Sequence, residues 1–148
     1  MLHQEGMRLA LLQAQEAFDQ GEVPIGAVIV HNGQIIAAAH NEKEQRNDPT
    51  AHAEILAIQQ AAGVLRSWRL TDATLYVTLE PCPMCAGAIL QARLKQLVYG
   101  CADLKGGAVG SVMNVLDRTL WNHRLDVAAG VLEEECSEIL KAFFRNRR

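Results

Sequence analysis

Apolar positions in the stretch Leu2 to Asp19 fall at Met7, Leu11, Ala14 and Phe18. These spacings of four, three and four predict an amphipathic helix. Gly21 is placed to end it. Ile25 to Val30 is rich in β-branched residues, and Asn32-Gly33 separates it from a second apolar run, Ile35 to Ala39. Asn-Gly between two such runs predicts an antiparallel hairpin, because both residues accept positive φ. Asn41 to Asn47 is polar, lacks apolar periodicity and reads as a loop.

Asp48-Pro49-Thr50 predicts the opening of a helix, with Asp as its cap and Pro at its first position. That helix runs through Ile55, Ile58 and Ala62 to a stop at Gly63, placing His52 and Glu54 in its first turns. Leu75 to Thr78 reads as a buried strand, broken at Glu80-Pro81, with a third helix from Pro83 to about Arg93. Gln96 to Tyr99 is a fourth strand, and Asp103 to Gly110, with three glycines, is a turning loop. Val112 to Leu116 reads as a short helix, Leu125 to Ala129 as a fifth strand and Val131 to Arg147 as the last helix. Alternating strands and helices predict a three-layer α/β/α sandwich. The pattern contains no repeat or linker, so residues 1–148 are expected to form one domain.

A chain of 148 residues, 49% of them hydrophobic, can bury a core of its own. The N-terminus lacks a basic region followed by an apolar block, so a cytoplasmic location is expected. A net charge of −3 argues against a broadly basic nucleic-acid binder. Charge is uneven, however, and Lys141, Arg145, Arg147 and Arg148 form a basic end without an acid. Such a run complements a helix dipole or grips phosphate locally. The four cysteines of a cytosolic chain point to metal or redox use more than to disulfides. Cys101 and Cys136 have no obvious partners and read as buried free thiols.

Cys82 and Cys85 lie three apart at the mouth of a predicted helix, so one turn aims both side chains the same way. A helix N-terminus favours thiolate, the form that binds metal. His52 stands near a second helix start, and Glu54, two residues on, suits a carboxylate beside a metal rather than on it. Alone, each feature has a plainer reading. Cys82 and Cys85 have the spacing of a redox pair, and His52 can be a cap. A closed structural site would need Cys101, His40 or His123 as a fourth ligand. Together, three ligands and one free carboxylate favour zinc with an open position, hence catalysis.

The order His52-Ala53-Glu54, then Pro81-Cys82-Pro83-Met84-Cys85, resembles the signature of the zinc-dependent nucleobase deaminases. Gly21 to Ala27, Pro49 to Glu54, Thr74 to Cys82, Met84 to Ala88, Asn122-His123-Arg124 and Phe143-Phe144-Arg145 extend the likeness to the bacterial tRNA-specific adenosine deaminases. The resemblance covers nearly the whole chain. It implies a mixed five-stranded sheet of the cytidine deaminase-like type. It also implies hydrolytic deamination of adenosine to inosine at the wobble position of a tRNA anticodon by a zinc-activated water. His52, Cys82 and Cys85 would hold one Zn2+ per subunit, and Glu54 would move the protons. Asn41 would meet the target base, with Asp103, Asn122, Phe144 and Arg145 near the neighbouring nucleotides. The family implies a homodimer and the tRNA anticodon arm as partner. Two alternatives remain at this point. One is a deaminase of a free base or nucleoside, guanine or cytosine. The other is a non-catalytic, zinc-stabilised nucleic-acid binding module.

Overall fold

The computed structural model describes residues 1–147. Helix α1 (His3–Asp19) leads into the hairpin β1 (Gly26–His31) and β2 (Gln34–His40). Asn32 and Gly33 take φ of 51° and 75°, the conformation that the Asn-Gly pair predicts. A short helix α2 (Lys43–Arg46) and a longer α3 (Ala53–Leu65) follow. Then come β3 (Ala73–Leu79), α4 (Pro83–Gln91), β4 (Gln96–Cys101), β5 (Asp126–Ala128) and α5 (Glu133–Arg145).

The sheet order is β2-β1-β3-β4-β5. Strand β1 is antiparallel to both neighbours, whereas β3, β4 and β5 run parallel. The two faces follow the period-two alternation of each strand. Ala27, Ile29, Leu75, Val77 and Leu97 share one core with Leu56, Ala57 and Ala61 of α3 and Ile89 and Leu90 of α4. Val28, Val30, Tyr76 and Val98 turn the other way, onto Met7 and Ala10 of α1 and Cys136 of α5. This is the expected three-layer sandwich with a mixed five-stranded sheet. Helix α1 lies so close to β1 that a Cβ on Gly26 would overlap the Ala10 carbonyl.

Four local readings change. The polar stretch Asn41 to Asn47 contains α2, because the buried carboxylate of Glu22 accepts the N–H groups of Glu44 (3.1 Å) and Gln45 (2.7 Å). A cap from a distant residue leaves no trace in local periodicity. Asp48 does not cap a helix. Its Oδ1 accepts the Thr50 N–H (2.8 Å) and hydroxyl (2.7 Å), closing a turn, and α3 begins later, at Ala53. That helix also passes through Gly63 and ends on Arg66, whose φ is 52°. Val112 to Leu116 is not helical, because Asn114 within it forms an antiparallel bridge with Val109.

Candidate metal and catalytic centre

His52 and Cys82 occupy equivalent places, each in extended backbone immediately before a helix. Neither side chain caps its own helix, so each is free to point elsewhere. The orphan N–H of Ala53 is served by Asn41, whose Oδ1 accepts it at 2.9 Å. Pro83 starts α4, where its missing N–H costs nothing, and Cys85 lies one turn on, fully buried.

These starts bring His52, Cys82 and Cys85 together, with their ligand atoms within 4.8 Å of one another. His52 Nδ1 is 3.6 Å from Cys82 Sγ and 3.4 Å from Cys85 Sγ. A tetrahedral zinc with ordinary Zn–S and Zn–N bonds separates such donors by about 3.6 Å. The donor set and its spacing therefore fit that ion. The hydrogen bond from Cys85, followed by that from His52, draws the Cys82 thiol down to about 4 despite its partial burial. Cys85 is pushed the other way, chiefly by its hydrogen bond to Cys82. His52 is raised, first by its hydrogen bond with Cys82. One site thus holds a thiolate beside an imidazole. The side chains named as fourth ligands are engaged elsewhere: Cys101 on the Thr78 carbonyl, His123 on the Leu94 carbonyl, and His40 on the Asn41 carbonyl and Glu16.

Glu54, in the first turn of α3, is 4% exposed and is not part of the donor group. Burial pushes its carboxyl up to about 7, against its own backbone N–H and His52. A carboxyl poised at that value can both accept and release a proton near neutrality.

The centre opens into a cavity of about 630 Å³. Val23, Ile25 and Leu79 supply apolar surface; Asn41 and Lys43 stand on one side, and Ala102, Asp103, Leu104 and Lys105 on another. Leu140 and Phe144 of α5 also line it. Of the residues named from sequence, the cavity brings together Asn41, His52, Glu54, Cys82, Asp103 and Phe144. Phe143 is buried against Phe18, whereas Phe144 is 54% exposed. Arg145 lies with Phe144 and Lys141 in an adjoining groove. Asn122 is exposed at a bend and is not among the lining residues. Arg147 donates to the Gly21 carbonyl at 2.9 Å and covers the Phe143 ring at 4.3 Å. Arg148 lies outside the described residues. Lys43, Lys105 and Glu80 were not anticipated. Lys43 sits in a stretch that reads as featureless, and Glu80 reads only as a strand breaker.

A His-Cys-Cys donor set with a non-ligating carboxyl beside it, on this sheet, defines the deaminase class, and the MafB19-like deaminase family model matches residues 1–148. The tRNA-specific adenosine deaminase of Bacillus subtilis (strain 168) is 54% identical over 142 residues, covering 96% of this chain and 88% of that protein. The enzyme of the same name from Haemophilus influenzae is 50% identical, covering 96% and 83%. A solved chain from work on A-to-I editing by tRNA deaminases at the wobble position has a TM-score of 0.88 at 48% identity, covering 92% of this chain and 99% of that one. A guanine deaminase structure from Bacillus subtilis is 45% identical with a TM-score of 0.66, covering 69% and 66%. The chain belongs to the tRNA-specific adenosine deaminase family.

Proposed function

We propose that this chain, acting as one deaminase domain over residues 1–148, converts adenosine to inosine at the wobble position of a tRNA anticodon. The observation that carries the reading is Glu54, a buried and proton-ready carboxyl beside three metal donors at the floor of an open cavity. The likeness to relatives named as tRNA-specific adenosine deaminases supports the substrate.

His52, Cys82 and Cys85 would hold one zinc ion per subunit. When bound, zinc lowers the pKa of a coordinated water from ~15.7 to about 7, so a strong nucleophile exists at neutral pH. The remaining work belongs to the protein. Glu54 accepts the proton that water loses as its oxygen adds to C6 of the purine. The same carboxyl delivers that proton to the ring nitrogen N1, then takes the remaining proton from the hydroxyl now on C6 and passes it to the departing amine, so adenosine and water give inosine and ammonia. Asn41 orients the base. Its Oδ1 is committed to Ala53, which leaves the Nδ2 hydrogens for an acceptor on the purine edge. Exposed Phe144 offers a stacking face, and Asp103, Asn122 and Arg145 are candidates for the flanking nucleotides. A base in an anticodon loop is already unpaired, which lowers the few kcal/mol that extrusion costs.

No helix among the described residues is long and apolar enough to cross a membrane. We place the enzyme in the cytoplasm, where it acts as a homodimer through α4 and neighbouring loops. Exposed Met84, Val112 and Met113 lie in those segments. Sedimentation showing only monomer at micromolar concentration overturns the dimer. For the reaction, the purified protein is incubated with tRNA and the anticodon is sequenced. Inosine at the first anticodon position is the expected product. The likeness to a guanine deaminase makes free guanine the proper competitor, and its turnover without reaction on tRNA overturns the assignment.

A further inference from the structure

Glu54 and Glu80 face the same cavity in opposite circumstances. Glu54 has its carboxyl raised by burial. Glu80, 1% exposed, is surrounded by donors from one loop. Its Oε1 accepts the Asp103 N–H at 3.1 Å and the Ser111 hydroxyl, and its Oε2 accepts the N–H groups of Val109 (2.9 Å) and Ser111 (3.1 Å). A carboxylate has about four acceptor sites, and all are taken. The fit is close, since a Cβ on Gly107 would run into the Glu80 carboxylate. The main chain adds to the hold, with the Ala108 N–H on the Pro81 carbonyl at 2.8 Å. Asp103 turns inward on the same loop, its Oδ1 accepting the N–H groups of Lys105 and Gly106, both at 3.1 Å.

The loop lacks a helix or strand ladder of its own from 102 to 108, yet it supplies the cavity with Ala102, Asp103, Leu104 and Lys105. Leu104 is 82% exposed, so apolar burial anchors the loop only further along, at Ala108, and does not hold the stretch that lines the cavity. We propose that Glu80 is a positioning residue: its saturated carboxylate folds the 102–111 loop into the substrate-facing wall, and it sets how tightly substrate binds without moving a proton. This inference rests on the deaminase reading above and deepens it.

Glu80→Gln tests it, because the shape is kept and one acceptor oxygen becomes a donor. If the amide nitrogen sits beside the Ser111 hydroxyl, the Asp103 N–H faces it; if it turns round, two backbone N–H groups do. One lost hydrogen bond to a charged group shifts the loop by about tenfold. Where the binding-competent fraction falls tenfold, the apparent affinity falls equally. The expected result on an anticodon stem-loop is a KM raised about tenfold, kcat within about twofold and zinc content unchanged. Amide exchange at Asp103, Val109 and Ser111 should speed up with or without metal. Ser111→Ala, which removes a single donor, should move KM the same way by a smaller factor. An unchanged KM in both variants, or a loss confined to kcat, overturns the proposal. If the wild-type chain leaves the stem-loop unreacted, the deaminase reading fails. Unchanged amide exchange in Glu80→Gln would separately sink the role of Glu80.

Discussion

Asn41→Asp separates the structural duty of this residue from its proposed duty toward the base. The two side chains have the same shape, and Asp retains an oxygen for the Ala53 N–H that Asn41 Oδ1 now accepts at 2.9 Å. Asn and Asp are nearly equal as helix caps, and a carboxylate at a helix N-terminus gains about 0.3–1 kcal/mol. Burial of the new charge opposes that gain, since Asn41 is 4% exposed. Stability is therefore expected to change by no more than about 1 kcal/mol. Activity should respond very differently. The Nδ2 donor becomes an oxygen, so a hydrogen bond is lost and two acceptors face each other. At about 3–4 kcal/mol this lowers kcat/KM by roughly a hundred- to a thousandfold. The assay is inosine formation on an anticodon stem-loop at low substrate, with Tm and zinc content measured on the same preparation. Asn41→Ala provides the contrast, because it also removes the acceptor and should cost about 1 kcal/mol of stability. If Asn41→Asp is well folded, zinc-loaded and within threefold of wild type, the argument from the committed oxygen is wrong.

Glu54→Ala should keep its zinc and lose turnover by about 10²–10⁴-fold, measured as metal content and inosine yield. A variant that deaminates near the wild-type rate refutes the proton role. In metal-free protein at pH 6, iodoacetamide should modify Cys82 first, because its thiol is drawn down to about 4 while Cys101 and Cys136 are held up at about 11 and 12. Peptide mapping should show zinc abolishing that labelling; equal labelling of Cys101 contradicts the assignment. Arg145→Gln should flatten the salt dependence of tRNA binding by about 0.7 in log–log slope if it meets one single-stranded phosphate. Arg147→Gln should instead lower Tm with the slope unchanged, because its guanidinium is already spent on Gly21 and Phe143.

The parts of the molecule that local pattern could reveal are those governed by local rules. The hairpin follows from Asn32-Gly33, and the two faces of the sheet from alternation in Ile25 to Val30. The donor set was legible because Cys82 and Cys85 share a helical turn and His52 stands before another helix. What escaped depends on contacts between distant residues. Helix α2 exists through Glu22, some twenty positions away. The wall from Ala102 to Lys105 depends on Glu80. The basic end also divides once folded, with Arg147 turned onto the protein and Arg145 left in a groove. Sequence alone cannot sort those two arginines, because they differ only in which neighbours the fold gives them.

His52 and Cys82 are fastened to helices packed on the middle of the sheet, whereas the segments that line the cavity are tied to it by a few hydrogen bonds to buried acids. Those two kinds of attachment tolerate change unequally. Exposed tips of the outer segments, such as Leu104, can be changed at modest energetic cost, while any shift in the central framework disturbs the donors themselves. A laboratory wishing to redirect this chain should therefore alter the exposed loop tips and leave the helix starts alone.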